Sequence, residues 1–138
     1  QAAEESGWGT SRFAQEGRAL FGQRTYKTAA GIKPNAGAQE HTFNVKSFDR
    51  LLDGVRSYAL NLNSHRAYVH FRQVRSDLRA AFKDMGSFRL VETLGRYSER
   101  GDDYIETIKA IVRVNNLRTL DKAKLSQSLD GARKMEDA

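Results

Sequence analysis

Two carboxylates, Glu4 and Glu5, run directly into Ser6-Gly7-Trp8-Gly9 near the start of the chain. Ala2 and Ala3 favour a helix, and the glycines end it within a turn. A glutamate at a helix end, beside an indole, has the setting of a general acid: a carboxyl group that a partly apolar cleft keeps protonated. The negative pole of the helix C-terminus disfavours its ionisation further. Gly7 and Gly9 leave the backbone open to close approach. Adjacent helical residues point about 100° apart, so one of the two glutamates can face a cleft, and the local pattern does not choose between them. The plainer reading is a solvated glutamate at a helix end. A second acid, Glu40, precedes His41 and the strand-like Thr42-Phe43-Asn44-Val45. It can act as base, nucleophile or charge stabiliser opposite a helical acid, or sit solvated in a polar loop. Tyr97 and Tyr104 flank Ser98-Glu99-Arg100-Gly101. Each is either core or a hydroxyl offered to a ligand.

Other chemistries find less support. His65 and His70 miss the i, i+4 spacing of a helical ligand pair; without cysteine or an HExxH pattern, no metal and no other cofactor is expected. Cysteine is absent, which excludes disulfide and thiolate chemistry. No GxSxG elbow is present for a serine nucleophile. A net charge of +6 and a pI of about 9.8 favour anionic partners. Arg72, Arg75, Arg79 and Lys83 form a basic stripe that reads as a solvated helix face, with Asp77 and Asp84 as local partners. No helix-turn-helix, RNP or zinc pattern accompanies it, so nucleic acid is not expected. The mean hydropathy of -0.66 suits a soluble globular protein, and no run approaches the roughly 18 apolar residues of a membrane helix.

The elements that must position these groups are mostly helical. The 138 residues suffice for one modest core. The chain opens inside a helix at Gln1 rather than at Met, as an excerpt or processed form does; a signal or membrane anchor would lie upstream. After the Gly7-Trp8-Gly9 break, Ser11 caps a short helix to about Glu16, with Gly17 as its stop. Thr25–Thr28 and Thr42–Val45 read as strands of an irregular hairpin, joined by turn chemistry at Gly31, Pro34, Asn35 and Gly37. Ser47 is the expected cap of an amphipathic helix burying Phe48, Leu51, Leu52, Val55, Tyr58, Ala59 and Leu62. Asn61–Ser64 ends it and caps the next, whose stripe is Ala67, Tyr68, Phe71, Val74, Leu78, Ala81 and Phe82. Phe88, Leu90, Val91 and Leu94 make a short element. Asp102 caps a last helix burying Tyr104, Ile105, Ile108, Ile111 and Val112, which ends near Asn115-Asn116. The expected division is a domain over residues 1–120 and a C-terminal tail over 121–138.

In combination, these motifs resemble the bacterial glucosaminidase domain of glycoside hydrolase family 73, specifically its Bax-like branch. The resemblance rests on Ala2-Ala3-Glu4-Glu5-Ser6-Gly7-Trp8-Gly9-Thr10-Ser11-Arg12-Phe13-Ala14 and Leu20-Phe21-Gly22. Asn61-Leu62-Asn63-Ser64-His65-Arg66-Ala67-Tyr68 and Tyr97-Ser98-Glu99-Arg100-Gly101-Asp102-Asp103-Tyr104 follow in the same order. It implies a mainly α, lysozyme-like helical domain (α+β), with one irregular β-hairpin lobe flanking a glycan cleft. The implied activity is cleavage of the β-1,4 bond after N-acetylglucosamine in peptidoglycan, in the periplasm or cell envelope. The implied general acid is Glu5, with Glu40 as the second acid and Tyr104 in the cleft. Trp8, expected to pack beneath the Glu5 helix end, joins Phe21 and Tyr97 as implied substrate-side residues. The alternative is a catalytically inactive module of the same fold that binds peptidoglycan as a scaffold. Two departures stand out. Arg18-Ala19 occupies the place of the family's asparagine before Leu-Phe-Gly, and the helical segment that precedes the Glu-Ser motif is not in this sequence.

Overall fold

The computed structural model describes residues 1–27, 31–34, 42–81 and 86–124. Six α-helices and one small sheet are ordered as α1 (Ala2–Ser6), α2 (Arg12–Gly17), β1 (Arg24–Thr25), β2 (Asn44–Val45), α3 (Leu51–Ser64), α4 (Val69–Ala80), α5 (Ser87–Val91) and α6 (Asp102–Val114). This is the mainly helical, hairpin-bearing architecture expected. Tight 3-10 turns precede α4 (Arg66–Tyr68), follow α5 (Glu92–Leu94) and follow α6 (Leu117–Lys122).

Local chemistry sets the first two helices. Ser6 is buried, and its hydroxyl is satisfied on both sides: it donates to the Ala2 carbonyl at 2.6 Å and accepts from the Gly9 amide at 2.8 Å. Gly7 takes the left-handed conformation (φ 56°) that closes α1. Ser11 caps α2 by accepting from the Ala14 amide at 3.2 Å. Gly17 is the last residue of α2 rather than its stop, which falls to Arg18 in the left-handed region (φ 51°). A side chain at Gly17 would lie 2.7 Å from Ile32 Cδ1 and 3.3 Å from Ser47 Cβ. Glycine here lets α2 and the hairpin approach each other.

The strands are shorter than the sequence pattern suggests. β1 and β2 are antiparallel, with Arg24 opposite Val45 and Thr25 opposite Asn44, and Ile32 bridges to Val45 as well. After β2, the Lys46 amide donates to Gln23 O and the Phe48 amide to Gly17 O. These bonds keep residues 46–48 extended, so α3 starts at Leu51 with Arg50 before it, and Ser47 is not its cap. The buried face of α3 also differs from the expected one. Gly54, Tyr58, Asn61 and Leu62 turn inward, whereas Leu51, Leu52, Val55 and Ala59 are exposed and Phe48 lies outside the helix, its ring against Gly54. His65, not Ser64, caps the following turn, its Nδ1 accepting from the Ala67 amide.

The core has two clusters. Val91, Tyr104, Ile105, Ile108 and Val112 form one, and Leu62, Tyr68, Phe71 and Leu94 form the other. Tyr97 packs against both. α6 follows its predicted stripe closely and ends at Val114, with Asn115 and Asn116 closing it. Ile108 is 2 % exposed. Ile108→Ala is expected to lower unfolding free energy by about 2–5 kcal/mol in urea titrations. Leu52→Ala, on the exposed face of α3, is expected to change it by less than about 0.5 kcal/mol.

Candidate active site

Glu5 stands in the last turn of α1 and lines a cleft of about 1200 Å³. Phe21, Gly22, Asn61, Tyr68 and Tyr97 line the same cleft, together with Arg24, Arg66, Arg96, Arg100 and Glu99. It is walled on one side by α1 and the hairpin approach, and on the other by the α3–α4 junction and the turn before α6.

The neighbouring acid is held elsewhere. Glu4 Oε1 accepts from Arg100 at 2.6 Å, and the same guanidinium donates to Thr107 Oγ1 on α6 at 2.9 Å. With Glu4 clamped to Arg100, the angle between successive helical residues turns Glu5 to the cleft. Geometry thus separates two acids that the local sequence leaves equivalent.

Aromatic rings build the floor around Glu5. Phe21 stacks on Tyr58 with centroids 4.0 Å apart, Tyr58 meets Tyr97 edge-on at 6.2 Å, and Tyr97 stacks on Tyr104 at 5.7 Å. The Tyr97 hydroxyl donates to the Phe21 carbonyl at 3.0 Å, fastening the segment before the hairpin to the helical core. Gly22 follows in the left-handed region (φ +57°), and a Cβ there would sit 3.2 Å from Glu5 Oε2. Its missing side chain leaves room for the carboxyl.

Burial pushes the Glu5 carboxyl above its ordinary 4.5, because the charged form loses water. A hydrogen bond from the Tyr104 hydroxyl opposes the rise, the Glu4 charge adds to it, and Arg100 counters it. Tyr104 is itself only 1 % exposed. Its hydroxyl lies against Glu5 and accepts from Gln1 Nε2 at 2.9 Å, so it meets the carboxyl from behind rather than lining the cleft. Tyr58 donates to Gln1 Oε1 and is pushed up to about 12 by burial; burial likewise raises Tyr97 and Tyr104 far above their ordinary range. All three phenols therefore remain neutral hydrogen-bond donors at physiological pH.

Trp8 departs from its expected place. Its backbone is left-handed (φ 57°), next to the left-handed Gly7, and its indole is 64 % exposed instead of packed beneath α1. It is not among the residues that line the cleft. Phe21 and Tyr97 do line the cleft. Glu40 and His41 lie outside the described residues. Tyr58 and Arg96 lie outside the sequence motifs, and Gly22 and Arg66 lie within them without an assigned role. Tyr58 reads as an ordinary core position in its helix, and Gly22 gives no sign in sequence that a carboxylate approaches it. Among the described residues no group of three His, Cys, Asp or Glu side chains is placed to hold a metal ion, and no helix is long and apolar enough to cross a membrane.

The family model described as "Glucosaminidase: Mannosyl-glycoprotein endo-beta-N-acetylglucosaminidase" matches residues 1–117. "Protein bax" of Escherichia coli (strain K12) is 34% identical over 114 residues, which make up 83% of this chain and 40% of that relative. The chain therefore spans well under half the length of the curated relative it matches. No solved structure matches it at a significant level.

The electrostatics around Glu5 have measurable consequences. In an NMR titration its carboxyl is expected to titrate above 4.5, and Tyr104→Phe, which removes an opposing hydrogen bond, to move the midpoint higher still. A raised folded-state value means that the protonated carboxyl favours the fold below 4.5, a benefit lost as pH rises through the folded midpoint. Glu5→Gln is accordingly expected to unfold at higher denaturant than the parent at neutral pH, with the difference fading as the pH falls below 4.5.

Proposed function

Because the chain belongs to the glucosaminidase family of glycoside hydrolases, we propose that it hydrolyses the β-1,4 bond after N-acetylglucosamine in peptidoglycan, with Glu5 as the general acid. The observation that carries this reading is the half-buried Glu5 carboxyl, raised by desolvation, at the wall of a cleft of about 1200 Å³. Family membership supplies the reaction class; the bond and the residue roles are the proposal.

Desolvation favours the protonated carboxyl, the form that can deliver a proton to a glycosidic oxygen. As the bond from the anomeric carbon to that oxygen breaks, its electron pair goes to the leaving oxygen, which takes the Glu5 proton. The carboxylate left behind is received by the Tyr104 hydroxyl, a donor aimed at the atom where negative charge appears. Tyr104 thus acts through Glu5, as a positioning residue. Water then adds to the anomeric carbon and gives up a proton. Glu40 is the candidate base for that step; attack by the substrate's own 2-acetamido group is the other route, in which Glu40 supports rather than activates. Phe21 and Tyr97 offer apolar surface to sugar faces, whereas the exposed Trp8 is remote from this role. A peptidoglycan substrate implies work in the periplasm or cell envelope, and needs no cofactor.

Incubation with purified peptidoglycan tests the reading. The parent protein is expected to release reducing ends, and mass spectrometry of the digested products to place N-acetylglucosamine at each new end. Glu5→Gln is expected to slow release by about 10²–10⁴-fold. Equal release by both proteins removes Glu5 from the mechanism, and binding without release by either favours the scaffold reading. The alkaline limb of kcat/KM reports the acid's deprotonation, so Tyr104→Phe is expected to shift that limb to higher pH.

A further inference from the structure

The cleft holds more positive charge than its acids neutralise. Arg24, Arg66, Arg96 and Arg100 line it against Glu5 and Glu99. Two of these cations are engaged: Arg24 reaches Glu99 at 3.3 Å, and Arg100 reaches Glu4 at 2.6 Å. Arg66 and Arg96 are exposed, and neither guanidinium has a carboxylate, carbonyl or ring partner among the described residues. Their backbones are nevertheless held together. Arg66 is two residues from Tyr68 and Arg96 is next to Tyr97, and these two rings meet at 6.1 Å in the second core cluster. Both guanidinium groups, unpaired among the described residues, therefore line the cleft that contains Glu5 from backbone segments joined by this ring contact.

A guanidinium presents a planar fork of N–H donors that matches a carboxylate in two parallel bonds. In a water-filled cleft such a pair is worth little as a structural ion pair, so its use lies in sorting ligands by charge. We propose that Arg66 and Arg96 form a carboxylate-recognising subsite, by which the cleft selects a glycan strand bearing free carboxylates over a neutral strand of the same sugars. This rests on the reading of the cleft as a peptidoglycan site, and adds to it a requirement on the charge state of the polymer. The carboxylates have two sources. In intact peptidoglycan they sit on the stem peptides, because the sugar's lactyl carboxyl is tied up in an amide. In strands stripped of peptide they sit on the sugar itself.

The test uses binding, so that it does not depend on cleavage. Glu5→Gln protein is passed over four immobilised polymers: intact peptidoglycan, peptide-stripped strands, and each of these with its carboxyl groups converted to amides. Amidation is expected to weaken binding by about three- to tenfold, and added salt to reduce binding to the acidic polymers alone. Adding Arg66→Gln and Arg96→Gln together is expected to remove the preference for the acidic forms while leaving the thermal unfolding midpoint unchanged, since both side chains are exposed. A preference confined to intact polymer assigns the carboxylate to the stem peptide, and one confined to stripped strands assigns it to the sugar. Equal binding of acidic and amidated polymers in both pairs overturns the subsite. A charge preference that survives the double substitution overturns its assignment to Arg66 and Arg96. If the parent protein releases no reducing ends from any polymer while the charge preference stands, the hydrolase reading fails and the subsite remains.

Discussion

Tyr97 is the side chain through which the rest of this structure is connected. Its ring packs against both core clusters, its face stacks on Tyr104, and its hydroxyl holds the Phe21 carbonyl. Burying a phenol is favourable only when its hydroxyl finds an acceptor, and the Phe21 carbonyl meets that need. The bond thereby joins two distant stretches, the approach to the hairpin and the turn before α6. Both stretches line the cleft, so this part-buried hydrogen bond ties two of its lining segments together.

The same cluster accounts for the upward shift of the Glu5 carboxyl. Aromatic packing withdraws water and pushes the carboxyl upward, while one phenol in that packing, Tyr104, supplies a hydrogen bond that pulls it back. The opposition is useful for a proton donor. A carboxyl raised by desolvation alone would hold its proton but leave the resulting anion unsupported. Arg100 contributes at a further remove, holding Glu4 away and adding a modest positive field. Sorting two adjacent glutamates into different tasks thus needs one ion pair and one hydrogen bond, both supplied from the region of α6.

Much of this plan was legible in the sequence where local rules and tertiary packing agree. α6 could be read from its stripe of Tyr104, Ile105, Ile108 and Val112, because a strongly amphipathic segment has one way to bury its face. The Ser11 cap and the Gly7 break were legible for similar reasons. The choice of Glu5 over Glu4 came from resemblance; composition offered no way to foresee the Arg100 clamp from the turn before α6. α3 misled because Leu51, Leu52 and Val55 have helical spacing, yet the helix turns Gly54, Tyr58 and Leu62 inward and leaves those three exposed. Trp8 misled because a large indole reads as core, whereas two successive left-handed residues carry it away from the packed side.

One feature of α1 carries further than its size suggests. A helix of five residues lies far below the length at which helices persist in water by themselves. Its order is borrowed: Ser6 ties it internally, Arg100 holds Glu4, and the phenols of Tyr58 and Tyr104 hold Gln1. Glu5, the proposed proton donor, therefore rides on an element with no melting transition of its own. As the molecule loosens, Glu5 loses its orientation together with side-chain packing, while the longer helices α3, α4 and α6 keep their backbone bonds. Far-ultraviolet signal, to which α1 contributes five residues against the far longer α3, α4 and α6, is therefore a poor report on the setting of Glu5.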